Sequence, residues 1–116
     1  MTLKTKRIYE EPTKSDGRRI LVDRLWPRGM SKEVARIDFW ARRAAPSDAL
    51  RRWYNHEPQK WAEFRRRYFA ELESNPEALS ELRQNVGTKV TTLLFSSREA
   101  RLNNATALKE FLETDE

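Results

Sequence analysis

The chain has no cysteine. That excludes disulfides, thiolate nucleophiles and cysteine-based zinc sites, and it fits a reducing compartment. It has one histidine, His56, so a His-Glu-x-x-His zinc pair cannot be built. Only three glycines occur, and neither the Gly-x-x-x-x-Gly-Lys phosphate loop nor the dinucleotide glycine fingerprint is present. The acidic residues show no clustered ligand spacing, so no metal and no cofactor is implied. No apolar run is long enough to cross a bilayer, and Met1 to Arg7 carries no apolar signal region. The expectation is a soluble cytoplasmic protein without a membrane partner.

What remains is enough for one domain spanning residues 1–116. Hydrophobic residues make up 38% and charged residues 35%, yet four Trp, five Phe and three Tyr supply a core with few side chains. Net charge is +5, unevenly spread. Residues 1–67 hold 18 Lys and Arg against 9 Asp and Glu, whereas residues 68–116 hold 5 against 9. A basic first half suits an anionic partner: a phosphate, a carboxylate or a nucleic acid.

Ile20-Leu21-Val22 is an uninterrupted apolar run, too short for a helix and rich in β-branching, as a strand buried on both faces requires. Asp23-Arg24-Leu25-Trp26-Pro27-Arg28-Gly29 follows, with Pro27 and Gly29 forcing a loop. Charged and aromatic groups therefore stand where a central strand ends, the edge at which open α/β sheets bind ligands. The spacing predicts a first strand over Leu3–Tyr9, a second over Arg19–Arg24 and a third over Val90–Phe95. Only about ten residues separate the cores of the first two, fewer than the dozen or more of an ordinary parallel crossover. Local spacing alone thus favours an antiparallel pair. Ser31-Lys32-Glu33 opens a helical turn, and Asp38–Ala45 is ambiguous. Ser47 caps a helix that Asn55-His56-Glu57 breaks and Pro58 restarts. Trp61, Phe64, Tyr68 and Leu72 then form one apolar stripe. Trp53 and Trp61 are expected to be largely buried, and Glu63–Arg67 and Arg67–Glu71 to pair along the helix. Asn75-Pro76 starts another helix, ended by Gly87, and Ala105, Leu108 and Leu112 mark the last.

Strands running parallel would bring three loops to one edge: Tyr9-Glu10-Glu11, Asp23–Gly29 and Ser96–Asn104. Arg24 and Arg28 are suited to clamp an anion by paired hydrogen bonds, and the last helix begins beside Ser96, Ser97 and Asn103. Asp23 pairing with either arginine is the structural alternative, and His56 suits a helix–helix corner as well as it suits a general base. Ser96 or Ser97 with His56 and Asp23 spells a triad by residue type, on common residues with uninformative spacing. Arg65-Arg66-Arg67 with Trp61 and Tyr68 resembles a nucleic-acid face, but those aromatics belong to the apolar stripe. No helix-turn-helix pattern is visible.

Lys6-Arg7-Ile8-Tyr9, Asp16-Gly17 and Leu21-Val22-Asp23-Arg24-Leu25-Trp26-Pro27-Arg28-Gly29 resemble the YeaO-like family of bacterial proteins, a branch of a larger domain of unknown function. The likeness continues through Ala45-Pro46-Ser47, Leu50-Arg51-Arg52-Trp53-Tyr54, His56-Glu57-Pro58, Trp61, Phe64, Arg67-Tyr68, Leu93-Leu94-Phe95 and Asn103-Asn104-Ala105. It covers nearly the whole chain. The resemblance implies a single α/β domain, a small mainly parallel sheet surrounded by helices, and so parallel first and second strands despite the short loop. It implies no established activity. One departure stands out: many members carry a His directly before the Asn-x-Ala string, where this chain has Leu102.

Together these point to a protein binding, or acting on, a small anionic ligand at the C-terminal edge of the sheet. Candidate ligand-binding residues are Lys6, Arg7, Tyr9, Arg24, Trp26, Arg28 and Asn103. Candidate catalytic residues are Asp23, His56, Ser96 and Ser97. The alternative is a nucleic-acid-binding or regulatory module using the basic first half.

Overall fold

The computed structural model describes residues 2–114. Four strands, β1 (Thr2–Arg7), β2 (Arg18–Leu21), β3 (Phe39–Trp40) and β4 (Val90–Phe95), form one sheet in the order β1-β4-β2-β3, with every pair parallel. β4 is the most apolar strand and lies inside, between β1 and β2, where both faces exclude water. Its side chains alternate. Leu93 and Phe95 join Ile20 and Val22 on one face, and Leu94 joins Leu21 and Ile8 on the other.

The first face carries the main core. Helices α2 (Asp48–Tyr54), α3 (Trp61–Glu73), α4 (Pro76–Val86) and α5 (Asn104–Thr114) contribute Tyr54, Phe64, Tyr68, Leu72, Leu82, Val86, Leu108 and Leu112 to it. The apolar stripe of α3 is thus present in the predicted register. Trp61 is only half-buried at its end, stacked on Phe64 with ring centroids 5.7 Å apart. Trp53 is also half-buried: it packs against the edge of the main core and lies beneath the cations of Arg67 and Lys60. Glu63 pairs with Arg67 as the helix spacing predicts, and also with Arg66. Glu71 turns from Arg67 and accepts the N–H and hydroxyl of Ser47.

The second face is covered by irregular chain and the one-turn helix α1 (Lys32–Ala35), capped by Ser31. The ambiguous Asp38–Ala45 segment resolves into the two-residue strand β3 and a 3₁₀ turn over Arg42–Ala44.

β1 and β2 are not an antiparallel pair. β4 separates them and both run parallel to it. The connection 8–17 crosses back along the second face without a regular helix. A β-strand of four residues spans only about 13 Å, and ten extended residues reach about 33 Å, so no helix is needed to return. Hydrogen bonds from Lys4 Nζ to Ser15 O (2.8 Å) and from Thr92 Oγ1 to Asp16 O (2.7 Å) pin the crossover down. At its end Gly17 has φ +64°, and a Cβ there would lie 2.2 Å from Val90 O. Only glycine admits that crossing.

Candidate functional site

Because β1, β2 and β4 are parallel, the chains leaving them meet at one edge. Asp23 ties two of these loops to the last helix. Its Oδ2 accepts the Ser96 N–H (2.9 Å) and the Ser96 hydroxyl (2.7 Å), and its Oδ1 accepts Asn104 Nδ2 (3.0 Å). The same Asn104 amide donates to Val22 O at 2.9 Å. Asp23 is therefore occupied by neutral donors and does not pair with Arg24 or Arg28.

Arg24 turns toward the chain before α2, where Nε donates to Pro46 O (3.0 Å) and Nη2 to Ala45 O (3.3 Å). Arg28 is exposed and pairs with no carboxylate among the described residues, while its backbone carbonyl accepts the Tyr9 hydroxyl at 2.9 Å. Trp26 donates from its indole to Met30 O and packs edge-on against Trp40, which braces the loop between the two arginines.

The third loop is ordered by Glu99. Its Oε1 accepts the N–H groups of Arg101 and Leu102, and those bonds hold the Glu99 carboxyl below its ordinary range. The Glu99 carbonyl accepts Asn103 Nδ2 (2.8 Å), and Asn103 Oδ1 accepts the Thr106 N–H (3.0 Å) as the cap of α5. Across from it, the Tyr54 hydroxyl donates to Leu102 O at 2.8 Å, fastening α2 to the same loop.

Between these parts lies a cavity of about 500 Å³. Tyr9, Asp23, Arg24, Trp26, Arg28, His56, Ser96, Ser97 and Asn103 all line it. Arg24 and Arg28 thus share one concavity with Ser96 and Ser97, from which they are about seventy residues distant in sequence. Two candidates do not line it. Lys6 points to the second face, where it binds Asp16 (3.0 Å) and Glu11 O, because strand alternation puts it there. Arg7 lies behind the wall, donating to Ser97 O (2.8 Å) and Ser96 O (3.2 Å) and stacking on Tyr9. It shapes the loop from outside.

The triad geometry is absent. Ser96 bonds Asp23 directly, with no imidazole between them, and His56 makes no hydrogen bond to either serine. His56 instead follows Asn55 in a left-handed corner, φ +46° then +56°, that turns α2 toward the Pro58–Lys60 turn. Among the described residues no group of three or more His, Asp or Glu is placed to hold a metal ion.

The family described as the inactive DUF488-N3 subclade matches residues 2–116. The chain belongs to that subclade. Among curated relatives of this DUF488-N3 chain, an uncharacterized protein of Mycobacterium tuberculosis (strain ATCC 25618 / H37Rv) is 39% identical over 110 residues, covering 95% of this chain and 92% of the relative. The uncharacterized protein YeaO of Escherichia coli (strain K12) is 37% identical over 114 residues, covering 98% and 99%. The YeaO-like resemblance is thereby established. No solved structure matches the chain.

The cavity also has walls that sequence reasoning did not single out. Arg51, Arg52 and Asn55 line it from α2, Phe64 from α3, and Leu102 and Asn104 from the third loop and α5. Helical spacing offered a signal for Arg51 alone, which stands at the margin of the face that buries Leu50 and Tyr54; Arg52 lies on the opposite face of the helix. Leu102, the departure from the family pattern, faces the cavity.

Proposed function

We propose that this DUF488-N3 protein binds a small anionic ligand in the cavity at the C-terminal edge of its sheet. Four arginines line that cavity, against one carboxylate, Asp23, whose oxygens are taken by Ser96 and Asn104. The observation that carries the reading is Arg28. Arg24 donates to backbone carbonyls and Arg51 and Arg52 share Asp48, whereas Arg28 stands at the cavity mouth with no carboxylate partner among the described residues. A cation without a counter-ion, beside two that share one carboxylate, favours an anion by charge-assisted hydrogen bonds.

Binding without turnover is the form best supported. Ser96, the cavity serine bonded to a carboxylate, makes no hydrogen bond to His56, and the YeaO-like resemblance implies a histidine in many members where this chain has Leu102. The description of the matched subclade as inactive agrees with it. The nucleic-acid alternative draws less support, because the Arg65–Arg67 run is paired off by Glu63 and Glu110.

Thermal unfolding in the presence of inorganic phosphate tests the proposal. A ligand at one hundred times its Kd stabilises the native state by about 2.7 kcal/mol, several degrees in Tm for a domain of this size. Arg28→Met and Arg52→Met should lose most of that shift while keeping the Tm of the unliganded protein. Arg66→Met, on the far face of α3, should retain it. No stabilisation by phosphate or by small carboxylates, or equal stabilisation of all variants, would contradict the proposal.

A further inference from the structure

The chemistry of the cavity changes with depth. Its inner wall is apolar. Tyr54 and Phe64 are buried and stacked, with centroids 4.4 Å apart, and Leu102 is joined to them through the Tyr54 hydroxyl. Its mouth is cationic: Arg28 and the pair Arg51 and Arg52, which share the single carboxylate of Asp48, are all exposed there, beside His56. The polar side chains between the two levels already have protein partners. Asp23 is bonded to Ser96 and Asn104, and Asn103 to Glu99 and Thr106. The free hydrogen-bonding capacity of Arg28 therefore lies at the rim, and the ring edges of Tyr54 and Phe64 with the half-buried Leu102 supply apolar lining behind it.

A volume of about 500 Å³ falls within the range of about 300–1,000 Å³ that holds an organic molecule, far more than a bare phosphate fills. We infer that the ligand is an amphipathic anion, an organic phosphate monoester or carboxylate whose aromatic or aliphatic body enters first and packs on Tyr54, Phe64 and Leu102. Its charged head stays at the mouth with Arg28 and Arg52. This inference rests on the anion-binding reading above and adds the ligand's apolar part and its orientation.

The test compares inorganic phosphate, phenyl phosphate and phenol as probes on the intact protein by calorimetric titration. Burying a phenyl ring against an apolar wall contributes about 1.5–3 kcal/mol, so phenyl phosphate should bind about 10- to 100-fold more tightly than inorganic phosphate. Phenol should bind more weakly than phenyl phosphate. Leu102→Asn should erase the advantage of the phenyl group and leave inorganic phosphate unchanged. If that variant does not fold, the wild-type comparison decides alone. Intermolecular NOEs should connect the phenyl protons to the Leu102 methyl groups and the Tyr54 ring. Equal affinity for the two phosphates would overturn the amphipathic inference and leave the anion site standing. NOEs to Leu25, an exposed residue that lines the mouth of the cavity, in place of Leu102 would overturn the orientation. Failure of both phosphates to bind, or binding of phenol as tight as that of phenyl phosphate, would overturn the anion-binding reading itself.

Discussion

At the scale of single residues, the second face of the sheet holds a charge that the site does not use. Asp16 is 4% exposed and lies between Arg19, 5% exposed, at 2.6 Å and Lys6 at 3.0 Å. Burial alone would raise its pKa. The Thr13 N–H, Lys6, the Thr13 hydroxyl and Arg19 all bond the ionised form, and they prevail, so the carboxyl is held well below its ordinary value of 3.8. Asp16→Asn would leave Arg19 buried without its counter-ion and should cost about 3–5 kcal/mol in urea unfolding. The pH dependence has a definite sign. A carboxyl depressed in the folded state contributes stability above its unfolded pKa and loses it as pH falls. Stability of the wild type should therefore decline below about pH 4, and Asp16→Asn should lack that part of the decline. The Thr13-x-x-Asp16 spacing is that of a capping box, and Arg19 follows only three residues later; the Lys6 contact is the part that depends on the crossover folding back against β1.

At the scale of elements, Ser47 does more than the sequence shows. It caps α2, as its place before Asp48 predicts, through a hydrogen bond from the Leu50 N–H at 3.1 Å. It also donates its own N–H and hydroxyl to Glu71 of α3, at 2.9 and 2.6 Å. The cap is legible because it is local. The Glu71 bonds are not, because they depend on how two helices dock. Ser47→Ala removes the cap and one of the two bonds to Glu71, and should destabilise by about 1–2 kcal/mol in thermal or urea unfolding. Ser31→Ala, which uncaps the single exposed turn α1, should cost about 0.5 kcal/mol. The same division runs through the other elements. The stripe of α3, the caps of α2 and α4 and the span of β4 follow from periodicity and local chemistry. The pairing of β1 with β4 in place of β2 and the cover over Trp53 follow from long-range contacts.

At the scale of the whole molecule, parallel pairing converts sequence distance into proximity. Loops following Val22, Phe95 and Tyr54 enclose one cavity, although they are far apart along the chain. The loop residues that end strands were legible as site candidates, since charge beside a buried apolar strand has few structural uses. The α2 and α3 residues were not, because their role depends on which way two helices pack over the sheet edge. No helix among the described residues is long and apolar enough to cross a membrane. The charge map also separates the two functional readings. A pocket ligand held by one or two arginines should weaken only mildly with salt, whereas a nucleic acid contacting many phosphates should weaken steeply.

The most direct measurement of the central claim is a residue-resolved NMR titration of the protein with inorganic phosphate, following backbone amides and arginine side-chain N–H groups. Saturable shifts are expected at Arg28, Arg51, Arg52, Ser97 and Asn104, with Arg65, Arg66 and Arg67 unmoved. Shifts confined to Arg65–Arg67, or spread over the basic surface without saturation, would contradict it.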